Sequence, residues 1–353
     1  MALIMNHSSW FESYLTNRSQ RVKIGDQLSN GIKLKSGVPQ GGVLSPIIFV
    51  VYVSDLEDWL CHSTALTYAD DTTSSVTGKE ITTVMSHMEF DADKLLRYMA
   101  SNGMVANPKK TAMLILNLKS NSEEQIKIRI GEEEIFQVHS AKLLGMTFND
   151  KQNWSDHVAG KGGLLKALNQ RLFLIRRLKN VLNHTALLKV ADSLFMSKIR
   201  YGLQLLGKVR TEEDAPKNQM LTSIQKAQNK LVRLLTNTRL AEGINTKAML
   251  DKCGLLSVNQ THAQIKLLEI WKSLNVKDYP IQVSQPTRSL ETATTRSVGS
   301  SILQEFGKTN ITQKTCINDA TKIWNQAPQT IKQCVSLYSA RKAIKTYVKM
   351  LPI

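Results

Sequence analysis

The chain is short of cysteine, of long apolar runs and, over one stretch, of acid. Its four cysteines, Cys61, Cys253, Cys316 and Cys334, lie far apart, and no two make a C-x-x-C pair. That spacing argues against a zinc knuckle and offers no disulfide framework, so a reduced intracellular setting, nucleus or cytoplasm, is the expectation. The longest apolar runs, such as PIIFVVYV at 46–53, are less than half of the ~20 residues needed to span a bilayer. They are expected to be buried core segments, with no membrane as partner. MALIMNHSSWFESYL at the start has no basic stretch leading into a long apolar one, so no secretory signal is expected. No internal repeat is visible.

Acid is scarce where it matters most. The sequence holds 46 Lys and Arg against 29 Asp and Glu, a net charge of +17. From Lys161 to Arg210 there are eleven basic residues and one acid, Asp192, so this stretch alone carries +10. A solvated helix face usually mixes signs, and this one does not. Net charge speaks of partners rather than fold. A polyanion, nucleic acid above all, is the expected partner; an anionic membrane surface and a merely basic protein are the alternatives.

Patterning divides the 353 residues by character. An aromatic-rich helical turn opens at Trp10, and QRVKI and IKLKSG alternate around GDQLSNG as a β-hairpin. STALTYADDTTSSVTG has the β-branched content of two strands with aspartates at the turn. Ile81, Val84, Met85, Met88, Ala92, Leu95, Leu96 and Met99 then share a helical face that SNG ends. NPKKTAMLIL reads as a loop feeding a strand, IKIRIGEEEIFQV at 126–138 as a second hairpin, and AKLLGMTFND continues the strands. After Trp154 the pattern turns helical: Leu164, Leu168, Leu172, Ile175 and Leu178 form one face, and further helices fit 184–206, 218–236 and 260–275. A polar stretch at 279–301 is expected to be a mobile linker, followed by a helix-compatible basic tail. The order is α+β first and helical later.

Two short stretches carry chemistry. In SGVPQGGVLSP, residues 36–46, Gly37, Gly41 and Gly42 permit unusual φ angles and close backbone approach, while Pro39 fixes the turn. Gln40 offers both donor and acceptor to a base edge or sugar, and a helix beginning at Pro46 would aim its first amides at an anion. Taken in isolation, these residues fit a plain loop entering a core segment better. In YADD, residues 68–71, two adjacent carboxylates repel unless a cation sits with them, and oxygen ligands suit Mg²⁺. Asp is also a favoured turn residue, so an ordinary turn stays open.

Together, SGVPQGGVLSP followed after 21 residues by YADD resembles the reverse transcriptases of non-LTR (LINE-type) retrotransposons. WFESYLTNRSQRVKIGDQLSN is similar to the segment before that loop, NGMVANPKKT to the family's Asn-Pro-x-Lys-Thr element, and AKLLGMTFNDKQNWSDHV to its primer-grip strands. ATKIWNQAPQTIKQCVSLYSARKAIKTYV resembles the tail of several animal elements of this type. The resemblance implies part of a right-hand polymerase palm, an antiparallel sheet with helices, followed by a helical thumb and a helical C-terminal region. Its implied divisions are 1–125 for partial fingers and palm, 126–158 for the hairpin and primer grip, 159–240 for the thumb and 241–353 for the C-terminal region.

The same resemblance implies residue roles. Asp70 is the metal ligand and Asp71 its partner for Mg²⁺, two ions being expected in a complete enzyme; Tyr68 packs beneath the primer end. Gln40, Gly41 and Gly42 lie by the incoming dNTP and the RNA template. Lys110, with Lys109 competing, stands near the triphosphate, and Leu144 and Gly145 mark the primer grip. Lys166, Arg171, Arg176 and Arg177 follow the phosphates of the RNA template and DNA primer, a salt-sensitive and sequence-blind contact. Trp324 is expected to be an apolar anchor.

One departure stands out. The family has another catalytic aspartate on a strand before the WFESYL segment, whereas the nine residues before Trp10 contain no acid. Glu12, Asp26 and Asp55 occupy positions that do not replace it. The expectation is therefore a fragment of an RNA-directed DNA polymerase, begun at an internal methionine, without the endonuclease segment and inactive alone by thousands-fold or more. A non-catalytic nucleic-acid-binding remnant, or a relic without a stable fold, are the other readings.

Overall fold

The computed structural model describes residues 8–116, 126–281 apart from 213 and 216, the single positions 283 and 302, and 316–353. The chain divides into two compact units, one formed by residues up to Met113 together with 126–138, the other from His139 onward. Most of the polar stretch at 279–301 lies outside the described residues.

The first unit is mixed α+β. Helix α1 (Ser8–Leu15) leads into a nested hairpin in which β1 (Ser19–Gln20) pairs with β4 (Ile32–Lys33) and β2 (Lys23–Ile24) with β3 (Gln27–Leu28). Helix α2 (Ser45–Tyr52) follows, then the antiparallel pair β5 (Thr64–Tyr68) and β6 (Asp71–Ser75). The long helix α3 (Ile81–Ser101) precedes the hairpin of β7 (Lys127–Ile130) and β8 (Glu133–Phe136), where Ile128 and Ile135 face each other and are buried. The loop expected to feed a strand after Pro108 gives only a bridge of Met113 to Gln137 among the described residues.

Two expectations need correcting here. The antiparallel sheet expected of a palm is present, among the described residues, only as separate two-stranded pieces. The apolar run at 46–53 forms α2 rather than a buried core segment: within the helix only Ser45 is buried, and Val51 is 67% exposed. With apolar side chains on every side, α2 has no polar face to give to water, yet neighbours cover little of it. The run's composition was sound evidence that it favours burial, but composition does not supply the covering surface.

The core of this unit is small: Leu56, Ala65 and Tyr98, with Leu60, Leu95, Met99 and Met104 packed around them. Polar ties supplement it. The Asp91 carboxylate is buried in α3 and accepts the backbone N–H groups of Cys61 at 3.0 Å, His62 at 2.8 Å and Ser63 at 2.6 Å, fixing the lead into β5. Burial alone would raise its pKa, but the three amide donors outweigh that and bring it down to about 2. Tyr98 donates to Asp55 at 2.7 Å. Burial, and then that carboxylate, push the phenol up to about 12.

The second unit is mostly helical. Strands β9 (Ser140–Leu143) and β10 (Met146–Asn149) form a hairpin, followed by α4 (Ser155–Ala159), α5 (Leu164–Leu178) and α6 (His184–Ala191). A five-residue π turn, Asp192–Met196, joins α6 to α7 (Ser197–Arg200). Helix α8 (Gln219–Thr236) starts where the Asn218 side chain accepts from the amides of Met220 and Leu221, and ends at left-handed Asn237. Then come α9 (Thr246–Lys252) and α10 (Val258–Asn275), the latter opened by a capping box of Ser257 and Gln260.

Leu168, Ile175, Phe195, Ile199, Ile224 and Leu231 close one core without solvent contact. A second core packs α10 against α11 (Cys316–Gln326), α12 (Gln329–Lys332) and α13 (Leu337–Val348), with Trp324 buried inside it. Into this second core go charges: Lys266 donates to Asp319 at 2.6 Å and to the Gly207 carbonyl at 2.8 Å, both side chains being buried. Asp319 also accepts the amide of Val209 at 3.1 Å. His262, one turn before Lys266, is fully enclosed, and burial with the nearby ammonium holds its pKa well below the ordinary value.

Candidate active site and nucleic-acid interface

Strands β5 and β6 place the paired carboxylates at a hairpin tip. Tyr68 stands opposite Asp71 across the ladder, and Ala69 and Asp70 make the two-residue turn. Such turns need a positive φ, normally met by glycine. Here Ala69 takes φ 53°, a conformation that costs an L-residue about 1–2 kcal/mol. Backbone strain held at a defined point is characteristic of functional sites. Tyr68, Asp70 and Asp71 are all exposed, Tyr68 by 66%.

The glycine-proline loop is held open by contacts to its backbone. Arg18 donates to the carbonyl of Gly37, and Ser45 to that of Pro39, while the amide of Gly42 donates back to Pro39 at 3.2 Å. A Cβ on Gly42 would come within 2.9 Å of Ser45 Oγ and 3.0 Å of the Tyr14 hydroxyl, so a side chain there would push these groups aside. Gly41, at φ 80°, has open space around it, and Gln40 projects from the loop exposed. Among the described residues no hydrogen bond or ion pair joins this loop to the Tyr68–Asp71 tip. Lys109 and Lys110 lie in a short 3-10 turn, exposed, where the Asn107 side chain accepts the amide of Lys109 at 3.1 Å.

In the second unit, Leu144 and Gly145 turn β9 into β10 with φ of 46° and 80°. Two positive φ values in succession define a type I′ hairpin, and leucine is an unusual occupant of the first. Tyr201 donates its hydroxyl to the Leu144 carbonyl. Beside it, a Cβ on Gly202 would fall 2.4 Å from the Met146 sulfur, so Met146 packs against bare backbone. Sequence reasoning marked Leu144 and Gly145 but not Tyr201, which is 57 positions away and has no local signal.

Helix α5 carries the basic face. Leu164, Leu168 and Ile175 turn inward, while Lys166, Arg176 and Arg177 are exposed and Arg171 is half-buried. None of the four cations forms an ion pair among the described residues. Their charge is thus free to act outward over roughly the Debye length of 8–10 Å.

Residues 2–148 match the family model described as reverse transcriptase (RNA-dependent DNA polymerase), so this part of the chain is a reverse transcriptase domain. Over 208 residues the chain is 24% identical to the RNA-directed DNA polymerase from mobile element jockey of Drosophila melanogaster, covering 56% of this chain and 22% of that protein. It is 24% identical over 260 residues to the probable RNA-directed DNA polymerase from transposon X-element of the same organism, covering 68% and 27%. A third relative there, the probable polymerase from transposon BS, is 25% identical over 240 residues, covering 64% and 25%. The chain is thus homologous to the polymerases of non-LTR retrotransposons, and it spans about a quarter of the length of these relatives. No solved structure matches it.

The residues at the hairpin tip suit a hard cation. Mg²⁺ is commonly held by one or two carboxylates, with water and substrate phosphates filling the remaining positions. Asp70 and Asp71 supply two such carboxylates, and no cluster of three or more His, Cys, Asp or Glu with metal-binding geometry occurs among the described residues. Among those residues, too, no helix is long and apolar enough to cross a membrane.

Proposed function

We propose that the chain is part of an RNA-directed DNA polymerase that extends a DNA primer on an RNA template. The observation that carries this reading is the strained Tyr68–Asp71 hairpin lying within the matched domain. Asp70 and Asp71 would hold Mg²⁺, which when bound supplies charge for the attacking and departing oxygens of nucleotidyl transfer. Tyr68 presents an exposed ring for the primer end, and Gln40 presents its amide from a loop whose glycine backbone leaves room for a nucleotide. Lys110, with Lys109 beside it, offers positive charge to the triphosphate as pyrophosphate leaves. Lys166, Arg171, Arg176 and Arg177 hold the template–primer backbone, and the Leu144–Gly145 turn contacts the primer.

For a two-ion site we expect a further carboxylate besides Asp70 and Asp71 to take part. The chain by itself is then a nucleic-acid-binding protein of low or no polymerase activity. The test is primer extension on an RNA template with dNTPs and Mg²⁺, using the chain alone and the chain joined to the preceding polymerase segment of a mobile-element relative. Extension in the joined form, lost by about a thousandfold or more on Asp70→Ala, is the expected outcome. Extension that survives Asp70→Ala overturns the site. Binding without extension in either form favours the non-catalytic alternative.

A further inference from the structure

We infer that the exposed face of α5 stacks an unpaired nucleic-acid base on Phe173, so that the helix holds single-stranded template through base contact as well as charge. The inference rests on the nucleic-acid reading above and adds to it a residue that charge alone would not select.

Phe173 is 59% exposed on a helix that buries Leu168 and Ile175 completely. Spacing places it on the outward side: Lys166, Asn169, Gln170, Phe173, Leu174 and Arg177 succeed one another at intervals of three or one along the same face. Five of these, Lys166 to Leu174, line one open groove. The Arg177 guanidinium sits over the Phe173 ring, 5.8 Å from its centroid, which holds the ring in place and sets positive charge against its electron-rich face. Neither Asn169 nor Gln170 makes a side-chain hydrogen bond among the described residues, so both amides are available to a ligand.

The chemistry of the rim selects the occupant. An apolar peptide face would want an apolar border, whereas Phe173 and Leu174 are bordered by lysine, arginine and two amides. Those groups match phosphates and base edges, and α5 contains no acid that would repel a phosphate. A duplex keeps its base faces stacked on one another and shows only edges. An exposed ring flanked by cations therefore suits an unpaired strand, in which each base has a free face.

The 353-residue chain is titrated with an unstructured RNA oligonucleotide and with a blunt duplex of equal length, across a range of salt. Phe173→Ala is expected to weaken single-strand binding about tenfold. It should leave the slope of log affinity against log salt unchanged, since no phosphate contact is lost. Duplex affinity should change by less than about twofold. Phe173→Trp should keep single-strand affinity, and its added indole should be quenched as the strand binds. A Phe173→Ala variant that binds RNA like the parent, or loses duplex and single strand equally, overturns the stacking role, as does a Phe173→Trp indole insensitive to RNA. Should Phe173→Ala fold poorly, the Phe173→Trp signal decides. Failure of the parent chain to bind either probe in a salt-dependent way defeats the nucleic-acid reading itself, a result distinct from the others.

Discussion

The two units of this chain handle apolar surface in opposite ways. From His139 onward, helices α5 to α8 bring leucine, isoleucine and phenylalanine together until several have no solvent contact, and α10 is enclosed so fully that Lys266 and His262 are buried with it. Up to Val138, the fully buried apolar side chains are few, while Val43, Ile47, Val50, Val51 and Leu66 stand in water. Each such side chain forgoes about 1.5–3 kcal/mol that burial would contribute. The unit bearing the Tyr68–Asp71 hairpin is therefore held by a few polar ties, the Asp91 carboxylate foremost, whereas the helical unit is held by packing.

That contrast can be broken or sharpened by experiment. The largest effect is expected in the second core. Lys266→Met leaves Asp319 buried without its cation and should cost about 3–5 kcal/mol in urea denaturation followed through the helical signal. Lys266→Met combined with Asp319→Leu should recover most of it. If the single substitution is neutral, the ion pair does not organise that core.

Acid should separate the units next. The pKa of His262 is lower in the folded chain than in the unfolded one, so its contribution is full above pH 6.5 and falls below it. The loss should approach 1.4 kcal/mol per pH unit until the folded pKa is reached. Asp91 has its pKa lowered from 3.8 to about 2, so its contribution is full above that unfolded value and lost only as pH falls through the interval between them. The total is about 2 kcal/mol. Hydrogen exchange corrected for intrinsic rate should thus show α10 losing protection from just below pH 6.5, while the Asp91-dependent part of α3 protection is kept to about pH 4. Asp91→Asn should erase the acid step in α3 and leave α10 unchanged.

The smallest expected effect is local. Ala69→Gly relieves the left-handed strain at the hairpin tip and should stabilise β5–β6 exchange protection by up to about 1 kcal/mol. If strain at the tip helps place the carboxylates, the same substitution should lower primer extension in the joined polymerase without lowering stability.

What could be read from sequence was what repeats locally. The inward face of α5 followed from leucines at helical spacing, and the β5–β6 hairpin from β-branched residues either side of Tyr68–Asp71. Trp324 lies buried in an apolar core, as the apolar reading had it. The role of Asp91 was not legible, because its partners lie 28 to 30 residues earlier and are backbone amides, which every sequence possesses. Lys266 and Asp319, 53 residues apart, are likewise unremarkable until the fold brings them together. The helical face predicted for α3 also missed its most buried positions, Asp91 and Tyr98, since periodicity scores apolar residues and these two are polar. The 46–53 run failed for the converse reason: hydrophobicity was plain, but the partner surface was not encoded nearby.

The π turn between α6 and α7 has a consequence of its own. A π turn amounts to one residue inserted into an α-helix. Deleting any one of the five residues from Asp192 to Met196 would restore regular α-helix and rotate α7 and its C-terminal neighbours by about 100°. Tyr201 would then swing away from the Leu144 carbonyl, and Gly202 from the sulfur of Met146. Along this segment the conserved quantity should be its length, so that in lineages of such elements substitutions here are tolerated where single-codon deletions are purged.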